Sequence, residues 1–189
     1  MIRLNLPPFD LKVKRAATGL LIFDMLRQRY VPLTPEEWVR QHFVHYLTDH
    51  LDYPARLMAN EVSIRMPGNS RNIRRCDTVL YHKLNLTPHM IMEYKAPTVN
   101  LSQTVFNQLC AYNSVLRAPY LVVSNGLQHY CLRLHYSTLS YEALPAIPRY
   151  GEMRPENDTS AGKAGPAEKI EDTNDLNNRE TFFPDNYQE

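Results

Sequence analysis

Asp77, Glu93 and Lys95 are the residues of this chain whose types and spacing could do chemistry. They stand in the stretch RRCDTVLYHKLNLTPHMIMEYKAP, residues 74–97, where two apolar runs each carry acid at a place a buried strand has no use for it. If MIMEYK is a strand, side chains alternate, so Glu93 and Lys95 share a face with Ile91 while Met90, Met92 and Tyr94 take the other. A carboxylate and an amine are then held side by side at one strand end. Asp77 lies early in the preceding strand, and pairing of the two strands through a connection at 82–88 would bring it towards Glu93. Two converging carboxylates make a hard-oxygen site suited to Mg²⁺, which keeps several waters and takes only one or two protein carboxylates. Lysine beside a metal-bound water could orient or help deprotonate it, or steady the charge of a phosphate in transfer.

Blander readings compete with this one. Glu-x-Lys arises by chance about 0.7 times in a chain of this length, and an Asp–Lys–Glu cluster at strand ends is commonly a surface salt-bridge patch of small energetic weight. Context separates the cases: an aspartate sixteen residues before the glutamate, both acids embedded in apolar strands (DTVLY, MIMEYK), and a helix directly after.

The elements that must position these residues are legible from periodicity and punctuation. LKVKR and LLIFD, residues 11–15 and 19–24, flank Ala-Ala-Thr-Gly and read as a hairpin or two edge strands. Thr34-Pro35-Glu36-Glu37 opens a helix, with Thr34 as N-cap, Pro35 at the first helical position and Glu37 three residues after the cap. Val39, Phe43, Tyr46 and Leu47 give that helix an apolar face as far as about Leu51. Strands are expected near 58–66, 75–82 and 89–95, and a second helix near 101–116 places Leu101, Val105, Leu109, Tyr112 and Leu116 on one stripe. Two last strands, 119–124 and 128–135, are joined at Asn125-Gly126. This order predicts one α/β sheet domain with helices packed against it, behind an N-terminal β extension over 1–33.

Composition and charge bound the rest. A chain of 189 residues accommodates one ordinary domain with an appendage. Its net charge of +1 hides an asymmetry: residues 1–150 hold 17 Lys+Arg against 10 Asp+Glu, and residues 151–189 hold 4 against 10. A basic body suits a polyanion through counterion release, and it is also ordinary solubility charge. Residues 146–189 are poor in apolar side chains and rich in Pro, Gly, Asn and acid, which predicts a disordered tail, able to recruit a protein partner through its charge. Three cysteines without C-x-x-C spacing, a start without an apolar signal segment, and no apolar run near the roughly 20 residues of a membrane helix lead to the expectation of a reduced, cytoplasmic, non-membrane protein.

Arg65, Arg71, Arg74 and Arg75 crowd the strand–turn–strand that leads into Asp77, either as a phosphate grip or as a solvated hairpin. His42, His45 and His50, and again His129, Cys131 and His135, lack the spacing of a four-ligand zinc site.

The combination of Cys76-Asp77, MEYK at 92–95 and QLCAY at 108–112 resembles the PD-(D/E)xK nuclease superfamily, in the branch that carries Gln-x-x-x-Tyr on the helix after the Glu-x-Lys strand. IFDMLRQRY, LTPEEWVRQ, RRCDTVLY, MEYKAPTV, QLCAYN and YLVVSNGLQHYC go further. They resemble the N-terminal nuclease domain of type I restriction enzyme R subunits, in its short stand-alone form, over roughly residues 9–136. The resemblance implies a restriction-endonuclease-like mixed central sheet flanked by helices, within a nuclease-like domain 1–145 whose core spans 34–136. It implies that Asp77 and Glu93 bind Mg²⁺, with Mn²⁺ able to stand in, that Lys95 is the catalytic lysine, and that an acid of the first helix completes the site, Glu37 first and Glu36 next. Thr34 with Glu37 is equally a capping box. Gln108 and Tyr112, four apart and so on one helical face, are implied to face the site and hold the lysine and the phosphate. Cys76 stands where the superfamily's name has proline, which removes no ligand. The expected activity is Mg²⁺-dependent hydrolysis of DNA phosphodiester bonds, with Arg71, Arg74 and Arg75 as the nucleic-acid contacts. The alternatives are a catalytically silent nucleic-acid-binding module and a protein-interaction module of the same fold. A phosphate-binding GxxxxGK[ST] is absent from the sequence, and with it any sign of an ATP-driven motor.

Overall fold

The expected elements are present in the computed structural model, which describes residues 1–68, 72–153 and, as backbone, 168–169. Arg71 lies outside these residues, as does the rest of the tail from 154 onward. Strands β1 (Val13–Ala16), β2 (Gly19–Asp24) and β3 (Arg29–Pro32) form a separate antiparallel sheet in that order. The third of them was not foreseen. Its four residues begin with arginine and end with proline, too short a run for alternation to show, yet Ile22 pairs with Val31 and Phe23 with Tyr30.

Helix α1 (Pro35–His50) starts where the capping signal places it: the Thr34 hydroxyl accepts the Glu37 backbone N–H at 3.1 Å. Only half of the capping box forms, because the Glu37 carboxylate turns to other partners. Strands β4 (Met58–Arg65), β5 (Ile73–Tyr81) and β6 (Pro88–Tyr94) follow as an antiparallel meander. Helix α2 (Gln103–Leu116) then crosses over to β7 (Tyr120–Ser124), which lies parallel to β6, as a crossover connection of this length allows. Strands β8 (His129–His135) and β9 (Ser140–Leu144) return antiparallel, giving a mixed sheet of order β9-β8-β7-β6-β5-β4. A two-residue strand, β10 (Glu168–Lys169), pairs with β9 at its outer edge.

Each helix covers one face of this sheet. Val39, Phe43, Val44 and Leu47 of α1 pack against Leu80, Met90, Met92, Tyr94 and Val122. Val105, Phe106 and Leu109 of α2 pack against Val79, Ile91, Leu121 and Val123. The alternation along β6 is therefore as expected, with Ile91 towards α2 and Met90, Met92 and Tyr94 towards α1. Each such side chain, fully buried, stabilises the fold by roughly 1.5–3 kcal/mol, and together they fix the strand's register against a one-residue slip.

The expected boundary of the tail at 146 shifts. Ile147 is buried in the α1-side core, the Tyr53 hydroxyl donates to the Pro148 carbonyl at 2.9 Å, and the Tyr150 N–H donates to the Leu51 carbonyl at 3.0 Å. The packed chain thus continues to Met153, held by a few anchors that the surrounding Pro, Gly and polar residues hide from a composition reading.

Candidate active site

Register brings three acids into one row. The pairs Asn60–Thr78 and Val62–Cys76 place Glu61 of β4 opposite Asp77 of β5, and continuing the register of the pair Thr78–Met92 by one residue places Asp77 opposite Glu93 of β6. The β5–β6 ladder ends there, and the Asp77 side chain takes over: its Oδ2 accepts the Tyr94 backbone N–H at 2.7 Å. Glu61 has φ of +59°, the left-handed region that costs a residue with a Cβ strain. That strain is sustained where the Glu61 carboxylate is gripped from two sides, by Arg40 at 2.6 Å and Arg75 at 3.0 Å.

Arg40 is the hub of the α1 side. Its Nη1 donates to Glu37 Oε2 at 2.8 Å, and its Nη2 reaches both Glu61 Oε1 and Asp77 Oδ1 at 2.6 Å. Burial opposes the charge on this guanidinium, but Asp77, Glu37 and Glu61 outweigh it and raise its pKa above the ordinary arginine value. Glu61 shows the reverse: burial would raise its pKa, and Arg40 with Arg75 pulls it below the usual carboxylate range. Glu37 also accepts from Gln41 Nε2 at 2.7 Å and from Arg27 Nη2 at 3.2 Å, and Arg27 pairs with the buried Asp24. Asp24 in turn accepts from Asn60, so the N-terminal sheet, α1 and β4 are tied into one charge network.

Glu93 is the hub of the α2 side. Its Oε1 accepts from Lys95 Nζ at 2.8 Å and from Gln108 Nε2 at 2.7 Å. Gln108 is itself braced, donating to the Tyr112 hydroxyl at 2.8 Å and accepting from Lys95 at 3.3 Å. The second oxygen, Glu93 Oε2, is buried and has no hydrogen-bond partner among the described residues. Burial pushes the Glu93 carboxyl up, the neighbouring Asp77 charge pushes it further, and Lys95 offsets part of this, leaving it at about 7. Cys76 beside it is buried, and its thiol is pushed up to about 12 by burial and by Glu93 and Asp77, which rules it out as a nucleophile near neutral pH.

Among the described residues no three His, Cys, Asp or Glu side chains form a ready-made metal cage. Two carboxylates nevertheless fit the requirement of Mg²⁺, which keeps most of its waters. The buried, unpartnered Glu93 oxygen, on a carboxyl that feels the Asp77 charge, is what a divalent cation would relieve.

The structure thus gathers Asp77, Glu93, Lys95, Gln108 and Tyr112 around one strand end and joins Glu37 to them through Arg40. Glu36 is exposed and outside this network. Arg75 reaches the cluster through Glu61, whereas Arg74 is exposed on β5 and pairs with none of its acids. Arg40 and Glu61 were missed. Arg40 gave a local signal, three residues after Glu37 on one helical face; Glu61 gave a weaker one, an acid inside the apolar strand MANEVSIRM. Of the histidines read against zinc, His42 is engaged on the Trp38 carbonyl and His45 on Asp49.

An aspartate on the second strand of a sheet meander, Glu-x-Lys closing the third, and Gln-x-x-x-Tyr on the following helix make this an α/β domain whose pattern is consistent with the PD-(D/E)xK superfamily. Residues 35–148 match the family described as Type I restriction enzyme R protein N terminus, and the chain belongs to that family. No curated protein matches the chain. Among the described residues no helix is long and apolar enough to cross a membrane.

Proposed function

We propose that the protein hydrolyses DNA phosphodiester bonds with Mg²⁺. The observation that carries this reading is Glu93: a buried carboxylate with one oxygen on Lys95 and Gln108, the other unpartnered, beside a second carboxylate. Asp77 and Glu93 would hold the ion. When bound, Mg²⁺ lowers the pKa of a coordinated water and neutralises charge on the phosphate. Lys95, paired with Glu93 and more exposed than it, would orient the attacking water and stabilise charge on the phosphate oxygens. Gln108 fixes both Glu93 and Lys95 through one amide and is fixed in turn by Tyr112, so these two act as positioning residues. Glu37 works through Arg40, which sets where Asp77 Oδ1 points.

One observation favours a second reading, a nucleic-acid-binding module without catalysis: both Asp77 oxygens are already engaged, Oδ1 by Arg40 and Oδ2 by the Tyr94 N–H. Cleavage of single-stranded and duplex DNA with Mg²⁺ or Mn²⁺ by the wild type and by Asp77→Ala separates the two. The nuclease reading predicts cutting by the first and not the second. Tight DNA binding with no cutting under either metal decides for the silent module.

A further inference from the structure

Some cations of this protein are tied into the candidate site, and others stand outside it. Arg27, Arg40, Arg75 and Lys95 are each paired with an acid of the network around the site. Lys12 and Lys14, at the start of the N-terminal sheet, are exposed and make no ion pair among the described residues. Register explains where they point. Ile22 and Val31 face the body and are buried, so Phe23, paired with Tyr30 and next to Lys12, lies on the outer face. There the Lys12 ammonium sits 5.6 Å from the Phe23 ring centroid and the Lys14 ammonium 3.9 Å from that of Tyr30. The two rings meet edge to face at 5.3 Å. Lysines already seated on rings have less freedom to lose when they grip an anion.

The face is continuous with the candidate site. Tyr30 also lines a cleft of about 500 Å³ together with Glu37, Arg40 and Glu61, and Arg40 there donates to Asp77. The network there holds Asp24, Glu37, Glu61, Asp77 and Glu93 against Arg27, Arg40, Arg75 and Lys95, so it carries no net positive charge of its own. A polyanion needs positive potential outside such a site to approach it.

We infer that the outer face of the N-terminal sheet is a phosphate track, on which Lys12 and Lys14 hold the backbone of DNA flanking the bond presented to the acids. Lys12, whose carbonyl accepts the Phe23 N–H just before β1, and Lys14 on β1 are two residues apart and share a face, a spacing that suits neighbouring phosphates. This inference rests on DNA being the ligand of the site, and its test reads binding rather than cleavage.

Fluorescence anisotropy with labelled DNA of about 20 nucleotides, single-stranded and duplex, in EDTA over a salt series measures the track directly. Lys12→Glu/Lys14→Glu is compared with Lys83→Glu/Arg117→Glu, which makes the same charge change at the opposite end of β6, where those two exposed residues lie. Lys12→Gln/Lys14→Gln repeats the first without added acid, and melting curves check that all are folded. The track predicts that Lys12→Glu/Lys14→Glu weakens binding about tenfold or more and lowers the salt slope by about two, with less than about threefold loss in the opposite-end pair. Tyr30→Ser, which unseats Lys14 without changing charge, is expected to cost several-fold at nearly unchanged slope. Equal losses in the two charge-reversal pairs, or wild-type affinity in Lys12→Gln/Lys14→Gln, overturn the track and leave DNA as the ligand. A wild type that binds no DNA overturns both.

Discussion

Arg40→Met tests the charge network with the shape of the side chain nearly kept. The substitution removes three contacts at 2.6–2.8 Å, to Glu37, Glu61 and Asp77, from a residue whose side chain is 6% exposed. Removing one partner of a buried pair costs about 3–5 kcal/mol because the remaining charge is left uncompensated. Here the lower end applies. Glu37 retains Gln41 and Arg27, Glu61 retains Arg75, and Asp77 retains the Tyr94 N–H. We therefore expect a loss of about 3 kcal/mol near neutral pH, or a fall in Tm of about 6–12 °C for a domain of this size. The pH dependence has a definite sign. Arg40 holds Glu61 below its ordinary pKa, so the stability it confers is present above the unfolded carboxylate pKa and is lost as pH falls through the lower folded value. The deficit of the variant should accordingly shrink on acidification. Urea unfolding followed by the fluorescence of the single tryptophan, Trp38, and by circular dichroism gives the number. A loss below about 1 kcal/mol, the range of exposed pairs, would refute the view that this guanidinium holds the acids together.

Three further outcomes are expected. Burial and Asp77 raise Glu93 to about 7, so without metal the native state binds its proton more tightly than the unfolded chain does, and stability falls as pH rises from the ordinary carboxylate range through about 7. Glu93→Gln should therefore be more stable than wild type by roughly 1–3 kcal/mol at about pH 8 and gain nothing at about pH 4, a difference that melting curves at the two values resolve. Tyr112→Phe removes the hydroxyl that braces Gln108 and should cost about 1 kcal/mol in urea unfolding, with a several-fold loss of cleavage at unchanged DNA affinity. Thr34→Ala removes the cap of α1 and should cost about 1 kcal/mol by the same unfolding assay without affecting DNA affinity.

The parts of this fold that follow from local rules were legible in the sequence. Alternation put Glu93 and Lys95 on the α2 face of β6, and Thr34-Pro35 fixed the start of α1 to the residue. Glu37 lay in view for two reasons at once, as a capping residue and as a candidate acid. The structure shows why the capping explanation was incomplete, since its backbone is capped while its carboxylate serves Arg40. What stayed hidden depends on long-range pairing. Nothing near Glu61 says that it will lie opposite Asp77, and nothing near Arg40 says that its guanidinium will cross to β4 and β5. Strand β9 was hidden because Ser140, Tyr141 and Glu142 follow a polar stretch and read as loop, although each pairs with a residue of β8.

The most direct test of the proposed metal site is calorimetric titration of Mg²⁺ and Mn²⁺ into the wild type and into Asp77→Ala, Glu93→Ala and Lys95→Ala, with DNA cleavage measured on the same preparations. Asp77 and Glu93 are assigned as ligands and Lys95 as the group acting on water and phosphate, so the variants should part company. Asp77→Ala and Glu93→Ala should lose metal binding and cleavage together. Lys95→Ala removes a positive charge from beside the ion, so it should bind metal as well as wild type or better while turnover falls about 10²-fold or more. Metal binding to the wild type that persists unchanged in Asp77→Ala, or undiminished cleavage by Lys95→Ala, would contradict the account.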